Sequence, residues 1–194
     1  MKARLEQMLG TAFGLVFLAL AVVVTVETVA RKLFNVSLQG ADELGGYALA
    51  LGATLGFSIA LLGRTHIRVD VFHDRLPAWL QGGLNWLSAV SLAALALLLA
   101  YLAWFVIQDT QAYKSVAQTP WATPLVIPQT AWLIGLIIFA AVALGSALHA
   151  TSLLLRGRLQ LLDRDYGPRS TKDEVDEELD DIRARSTAGL GAAP

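Results

Sequence analysis

Four long stretches without charge constrain this chain more than any other feature of it. Residues 8–26 are uncharged, Glu27 follows, and the apolar character runs on to about residue 29. Residues 44–63, 84–107 and 130–155 are the other three, and His149 is the one ionisable side chain in the last. A helix needs about 20 predominantly apolar residues to cross the hydrocarbon core, and all four reach that length. Four such helices in a soluble fold would leave almost no amphipathic surface to cover them. The chain is therefore expected to be an all-α integral membrane protein, with four transmembrane helices and short loops. Trp79, Trp86 and Trp104 flank the third span, as headgroup-depth anchors do.

Charge supports the same division. Only 16% of the chain is charged, against roughly 25% in soluble domains. Residues 1–162 hold ten Lys/Arg and seven Asp/Glu, whereas 163–194 hold five and nine. A membrane domain over 1–162 and an acidic, disordered cytoplasmic tail over 163–194 are expected. Lys2 and Arg4, then Arg64, Arg68 and Arg75, then Arg156, Arg158 and Arg164 lie at one set of helix ends. Arg31, Lys32 and Lys114 lie at the other. Eight against three places both termini in the cytoplasm by the positive-inside bias. The first run is longer than the apolar core of a signal peptide and reads as an uncleaved helix.

Three loops and the tail carry the polar detail. Glu27 and Arg31 are four apart in the favoured acid-first order. They form either an intrahelical surface pair or a contact to a partner subunit. Arg64, His66, Arg68 and Asp70 alternate with apolar residues in the second loop, which reads as an interfacial segment or as a basic topological marker. Leu76-Pro77-Ala78-Trp79-Leu80 resembles the start of an interfacial helix before the third span. Pro120, Pro124 and Pro128 exclude a regular helix across residues 119–128, since each lacks a donor and restrains its predecessor. Non-helical backbone near a membrane must be satisfied by protein or water, so this apolar loop should pack on protein. In the tail, Thr171 and Glu174 match a capping box, yet seven acids in residues 173–181 repel one another and favour disorder.

No chemistry emerges from the remaining residues. The absence of cysteine excludes disulfides, thiolate metal sites and a cysteine nucleophile. His66 and His73 share a loop with arginines, which disfavours a cation, and His149 has no second histidine at matching depth. Neither an enzyme nor a cofactor is expected. Gly52 and Gly56 form a GxxxG pair suited to close helix packing, within the chain or against a partner. The helix interiors lack the ionisable groups that mark a transporter's own site. A membrane anchor for a redox enzyme, binding haem or quinone, is the alternative that four helices and a few histidines leave open.

The ordered set of loop motifs resembles the small membrane subunit, DctQ-like, of tripartite ATP-independent periplasmic (TRAP) transporters. The pieces are Arg31 with Phe34-Asn35, the acidic pair Asp42-Glu43, and His66-Ile67-Arg68-Val69-Asp70. Thr123-Pro124-Leu125-Val126-Ile127-Pro128 and Gly135 complete the set. One departure stands out: Gln39-Gly40-Ala41 precedes Asp42, where the family often has a tryptophan. The resemblance implies a bacterial inner-membrane importer of organic anions such as carboxylates, driven by sodium. It also implies a large membrane subunit that binds substrate and sodium, and a periplasmic substrate-binding protein. This chain would then be a scaffold. Glu27, Arg31, Asp42, Glu43, Arg64, His66, Arg68, Asp70, Thr123, Pro124 and Pro128 would be its candidate contacts to partner or lipid.

Overall fold

A computed structural model describes residues 2–37, 39–63 and 76–167, together with Leu179 and Ile182. Among the described residues five helices stand as complete elements: α1 (Lys2–Phe34), α2 (Ala41–Gly63), α3 (Ala78–Tyr113), α4 (Val126–Leu155) and α5 (Leu159–Tyr166). The first four contain the four uncharged stretches, and each is long and apolar enough to cross a membrane. Among the described residues there is no strand, only an isolated antiparallel bridge between Val116 and Pro124. With 36 residues, α3 is the longest. At about 1.5 Å per residue it is roughly 54 Å long, well beyond a hydrocarbon core of about 30 Å. It therefore tilts, projects from the bilayer, or both.

The helix ends differ from expectation in three places. Among the described residues no separate interfacial helix precedes the third span. Ala78 to Leu80 are the first residues of α3, and the Pro77 carbonyl accepts the Leu80 and Gln81 N–H groups at 2.9 and 3.2 Å. Pro77 adopts φ −65° and ψ 149°, an extended conformation its ring favours, so the continuous helix starts immediately after it. The exclusion of helix up to Pro128 was too broad, because α4 begins at Val126. Proline is tolerated in a first turn, where its missing donor would have no partner anyway. Third, α5 straddles the boundary drawn between residues 162 and 163. Most of the tail beyond Gly167 lies outside the described residues.

The helices pack as an open row rather than a closed bundle. Extensive contacts run from α1 to α2, from α2 to α4 and from α4 to α3, and α5 sits against α3 and α4. Small residues let the backbones approach. Ala93 and Ala96 of α3 meet Phe139, Ala140, Ala143 and Ala147 of α4. Nearer loop 3, Ala103 and Ile107 meet Leu133 and Leu136. Between α2 and α4, the Thr54 side chain occupies the space that a Cβ on Gly135 would need, and the tilted rings of Phe57 and Phe139 pack with centroids 5.6 Å apart. The GxxxG pair is used inside the chain, with Phe17 lying on Gly52 and Phe13 beside Gly56. As the end of the row, α1 buries only 6% of its most apolar window against the chain, compared with 39% for α4. Leu15, Leu18, Val22 and Val26 remain exposed, which a lipid environment or a neighbouring subunit satisfies.

Candidate functional site

The row's α1–α2 loop and α3–α4 loop share one end, where the polar side chains concentrate. Glu27 is 3% exposed, although it sits on the most exposed helix. Its Oε1 accepts Arg31 Nε at 3.0 Å, Arg31 Nη2 at 2.5 Å and the Ser37 hydroxyl at 2.8 Å. The Ser37 oxygen in turn accepts the Gln39 N–H at 3.2 Å. One carboxylate thus ties the first loop back to α1. The Arg31 side chain is 63% exposed, so its other face is open to solvent, lipid or a partner. Asp42 is also exposed and adds a favourable field at Arg31. The i,i+4 surface-pair reading therefore describes the bond itself, while the burial of Glu27 and its bond to Ser37 go beyond it.

A second carboxylate joins the two loops. Gly40 precedes α2 and its carbonyl accepts the Glu43 and Leu44 N–H groups at 3.1 and 3.3 Å. Glu43 stands in that first turn, where an acid complements the helix dipole. Its Oε1 accepts the Tyr47 hydroxyl at 2.6 Å and its Oε2 accepts the Thr119 hydroxyl, with Thr123 close by. Trp121 covers Gly40 so closely that a Cβ there would lie 2.5–2.7 Å from its ring atoms. The segment before Asp42 lacks a tryptophan of its own, yet an aromatic ring from the third loop lies on it.

The third loop presents these groups because it is a small hairpin. Ser115 N–H bonds the Thr110 carbonyl at 3.1 Å and Lys114 N–H the Gln111 carbonyl at 3.3 Å, with Lys114 left-handed at φ 49°. These are the paired bonds that close a helix C-terminus. Beyond them, Ala117 N–H reaches Thr123 at 2.9 Å and Leu125 N–H reaches Ser115 at 3.1 Å. Part of the irregular backbone is thereby satisfied by the chain itself.

Of the candidate residues, Glu27 is bonded to Arg31, and Thr123 lies near Glu43. Asp42 lies beside them, and Pro124 is exposed in the hairpin. Pro128 is half-buried in α4. Arg64, His66, Arg68 and Asp70 lie outside the described residues. Sequence reasoning missed Ser37, Tyr47, Thr119 and Trp121. Tyr47 could have been found, being four residues after Glu43 on one helix face. Thr119 is 76 positions away and carries no local signal.

At the opposite end α5 folds back into the groove between α3 and α4. Leu162 is fully buried among Ala89, Ala150 and Leu153. Leu159 lies on Gly82. Asn85 donates to Asp163 Oδ1 at 3.0 Å. The Tyr166 hydroxyl donates to the Ser146 carbonyl at 2.9 Å and lies 3.0 Å from His149 Nδ1. With its single proton on Ser146, Tyr166 accepts from His149, which places that ring's proton on Nδ1. Trp86 Nε1 donates to the Thr151 hydroxyl at 2.9 Å, bonding α3 directly to α4.

The arrangement fastens helices and loops, and among the described residues no three His, Cys, Asp or Glu side chains converge as a metal site. No curated protein matches the chain. The family model described as tripartite ATP-independent periplasmic transporters, DctQ component, matches residues 20–152. That match takes in α1 from residue 20 onward, all of α2 and α3, and nearly all of α4, and so the chain belongs to the DctQ family, the small membrane component of TRAP transporters.

Proposed function

We propose that this chain is the static scaffold subunit of a sodium-driven importer of organic anions, carboxylates foremost. In this reading it lies in a bacterial inner membrane with both termini cytoplasmic. The large TRAP membrane subunit binds substrate and sodium beside it, and a periplasmic protein delivers the substrate. The DctQ family is a family of transporter components rather than of enzymes.

One observation carries the scaffold role. The polar side chains buried in the middle of the row are Thr54 and Ser58, and both hydroxyls bond carbonyls of their own helix. Among the described residues no charged side chain lies at that depth, while the outer faces of the row are broad and apolar. Arg31 and Asp42 at the loop end, and Arg64, His66, Arg68 and Asp70 in the second loop, are the proposed contacts to the large subunit or to lipid. The redox-anchor alternative gains no support from the match to a family of transporter components.

Co-expression with the large subunit tests the reading. A tagged chain should retain that subunit through mild detergent, and proteoliposomes holding both should take up a dicarboxylate, in the presence of the binding protein, only down a sodium gradient. Extraction of this chain alone, with the large subunit present in the same membrane, would overturn the scaffold role. Uptake indifferent to sodium would overturn the proposed driving force.

A further inference from the structure

The elbow between α4 and α5 carries positive charge that no described residue answers. Arg156 caps α4, Gly157 turns left-handed at φ 66° and Arg158 precedes α5. Gly157 N–H bonds the Leu154 carbonyl at 3.0 Å and Arg158 N–H bonds the Leu153 carbonyl at 3.0 Å. This pair of bonds ends a helix on a glycine and leaves the flanking side chains outside the fold. Both arginines are exposed, and neither side chain has a bonded partner among the described residues. Leu155 before them is 83% exposed, and Leu161 after them is exposed too. The placement of Leu159 on Gly82 sets the elbow beside the first turns of α3, where Trp79 is exposed.

We propose that this elbow is a contact site for anionic phospholipid headgroups. At about 1.5 Å per residue, 30 residues make α4 about 45 Å long, so its end reaches the headgroup layer of a bilayer whose core is about 30 Å thick. Guanidinium groups bind phosphate through two parallel charge-assisted bonds. The neighbouring leucines suit the boundary between headgroups and acyl chains, and Trp79 suits the same depth. The acidic run at residues 173–181 of the same chain is a rival occupant. It has seven acids in nine residues and so little apolar surface to cover Leu155 and Leu161, whereas a phospholipid offers phosphate and hydrocarbon together.

The test uses the full chain in neutral detergent micelles, titrated with dansyl-labelled phosphatidylglycerol or dansyl-labelled phosphatidylcholine. Phosphatidylglycerol should bind at least about tenfold more tightly. The R156Q/R158Q variant should lose about fivefold per arginine removed, R156K/R158K should keep most of the preference, and K114Q at the opposite end should keep all of it. The single variants R156Q and R158Q carry the test if circular dichroism shows that the double variant loses helicity. Equal affinity for the two lipids, or an unchanged preference in R156Q/R158Q, would overturn the proposal. A preference that emerges only after removal of residues 168–194 would also overturn it, because the elbow would then belong to the acidic tail.

Discussion

Two carboxylates at the loop end do different work. Glu27 is buried and holds Arg31 and Ser37, whereas Glu43 gathers hydroxyls from α2 and the third loop. Breaking a buried pair costs most when the remaining group is a buried charge. Arg31→Ala leaves the Glu27 carboxylate buried with the Ser37 hydroxyl, while Glu27→Gln leaves an exposed guanidinium that water can solvate. Arg31→Ala should therefore lower the thermal unfolding midpoint in micelles more than Glu27→Gln does. The reverse order would show that the carboxylate is not desolvated. Lys114 poses a backbone question instead. It holds φ 49°, where a Cβ crowds the following carbonyl at about 1–2 kcal/mol. Lys114→Gly removes that crowding and gives up some unfolded-state restriction, so a net gain of about 1 kcal/mol should appear in chemical unfolding.

Helix contacts in this chain are decided by where small residues fall. Gly135→Ala would drive a Cβ into Thr54, including its Cβ at 3.0 Å, so α2 and α4 must separate. Overpacking of this kind costs about 1–3 kcal/mol. Gly46→Ala on α2 meets nothing within 4 Å and should be neutral or stabilising by up to about 1 kcal/mol, from helix propensity alone. Unfolding of the two variants side by side separates packing from propensity. Leu162 anchors α5 and is fully buried. Leu162→Ala should cost about 2–5 kcal/mol, and limited proteolysis after α4 should accelerate if α5 then leaves its groove. Cleavage no faster than in the unaltered chain would mean that Asp163 and Tyr166 suffice to hold it.

The molecule as a whole is a row with two broad apolar faces and a polar fastening at each end. The loop-end fastening joins the α1–α2 pair to the hairpin between α3 and α4. At the other end α5 is wedged into the α3–α4 groove. Transport by the assembled system should survive deletion of residues 173–194, which start seven residues beyond the end of α5. An uptake assay in cells with normal expression checks this, and abolished uptake would give the acidic run a docking role.

By itself the sequence determined that the chain carries four helices long and apolar enough to span a membrane, and which family its ordered motifs resemble. Those properties are one-dimensional. A bilayer selects uncharged stretches of about 20 residues whatever their neighbours are, and loop motifs can be read in order. Tertiary structure alone decided the order α1–α2–α4–α3, the bond from Thr119 to Glu43, the seat of Trp121 on Gly40 and the return of α5 into its groove. Helices that are apolar all round carry no periodic stripe to name a neighbour. Their partners are chosen by small residues such as Gly52 and Gly135, which create space only once a particular ring or hydroxyl from another helix comes to fill it.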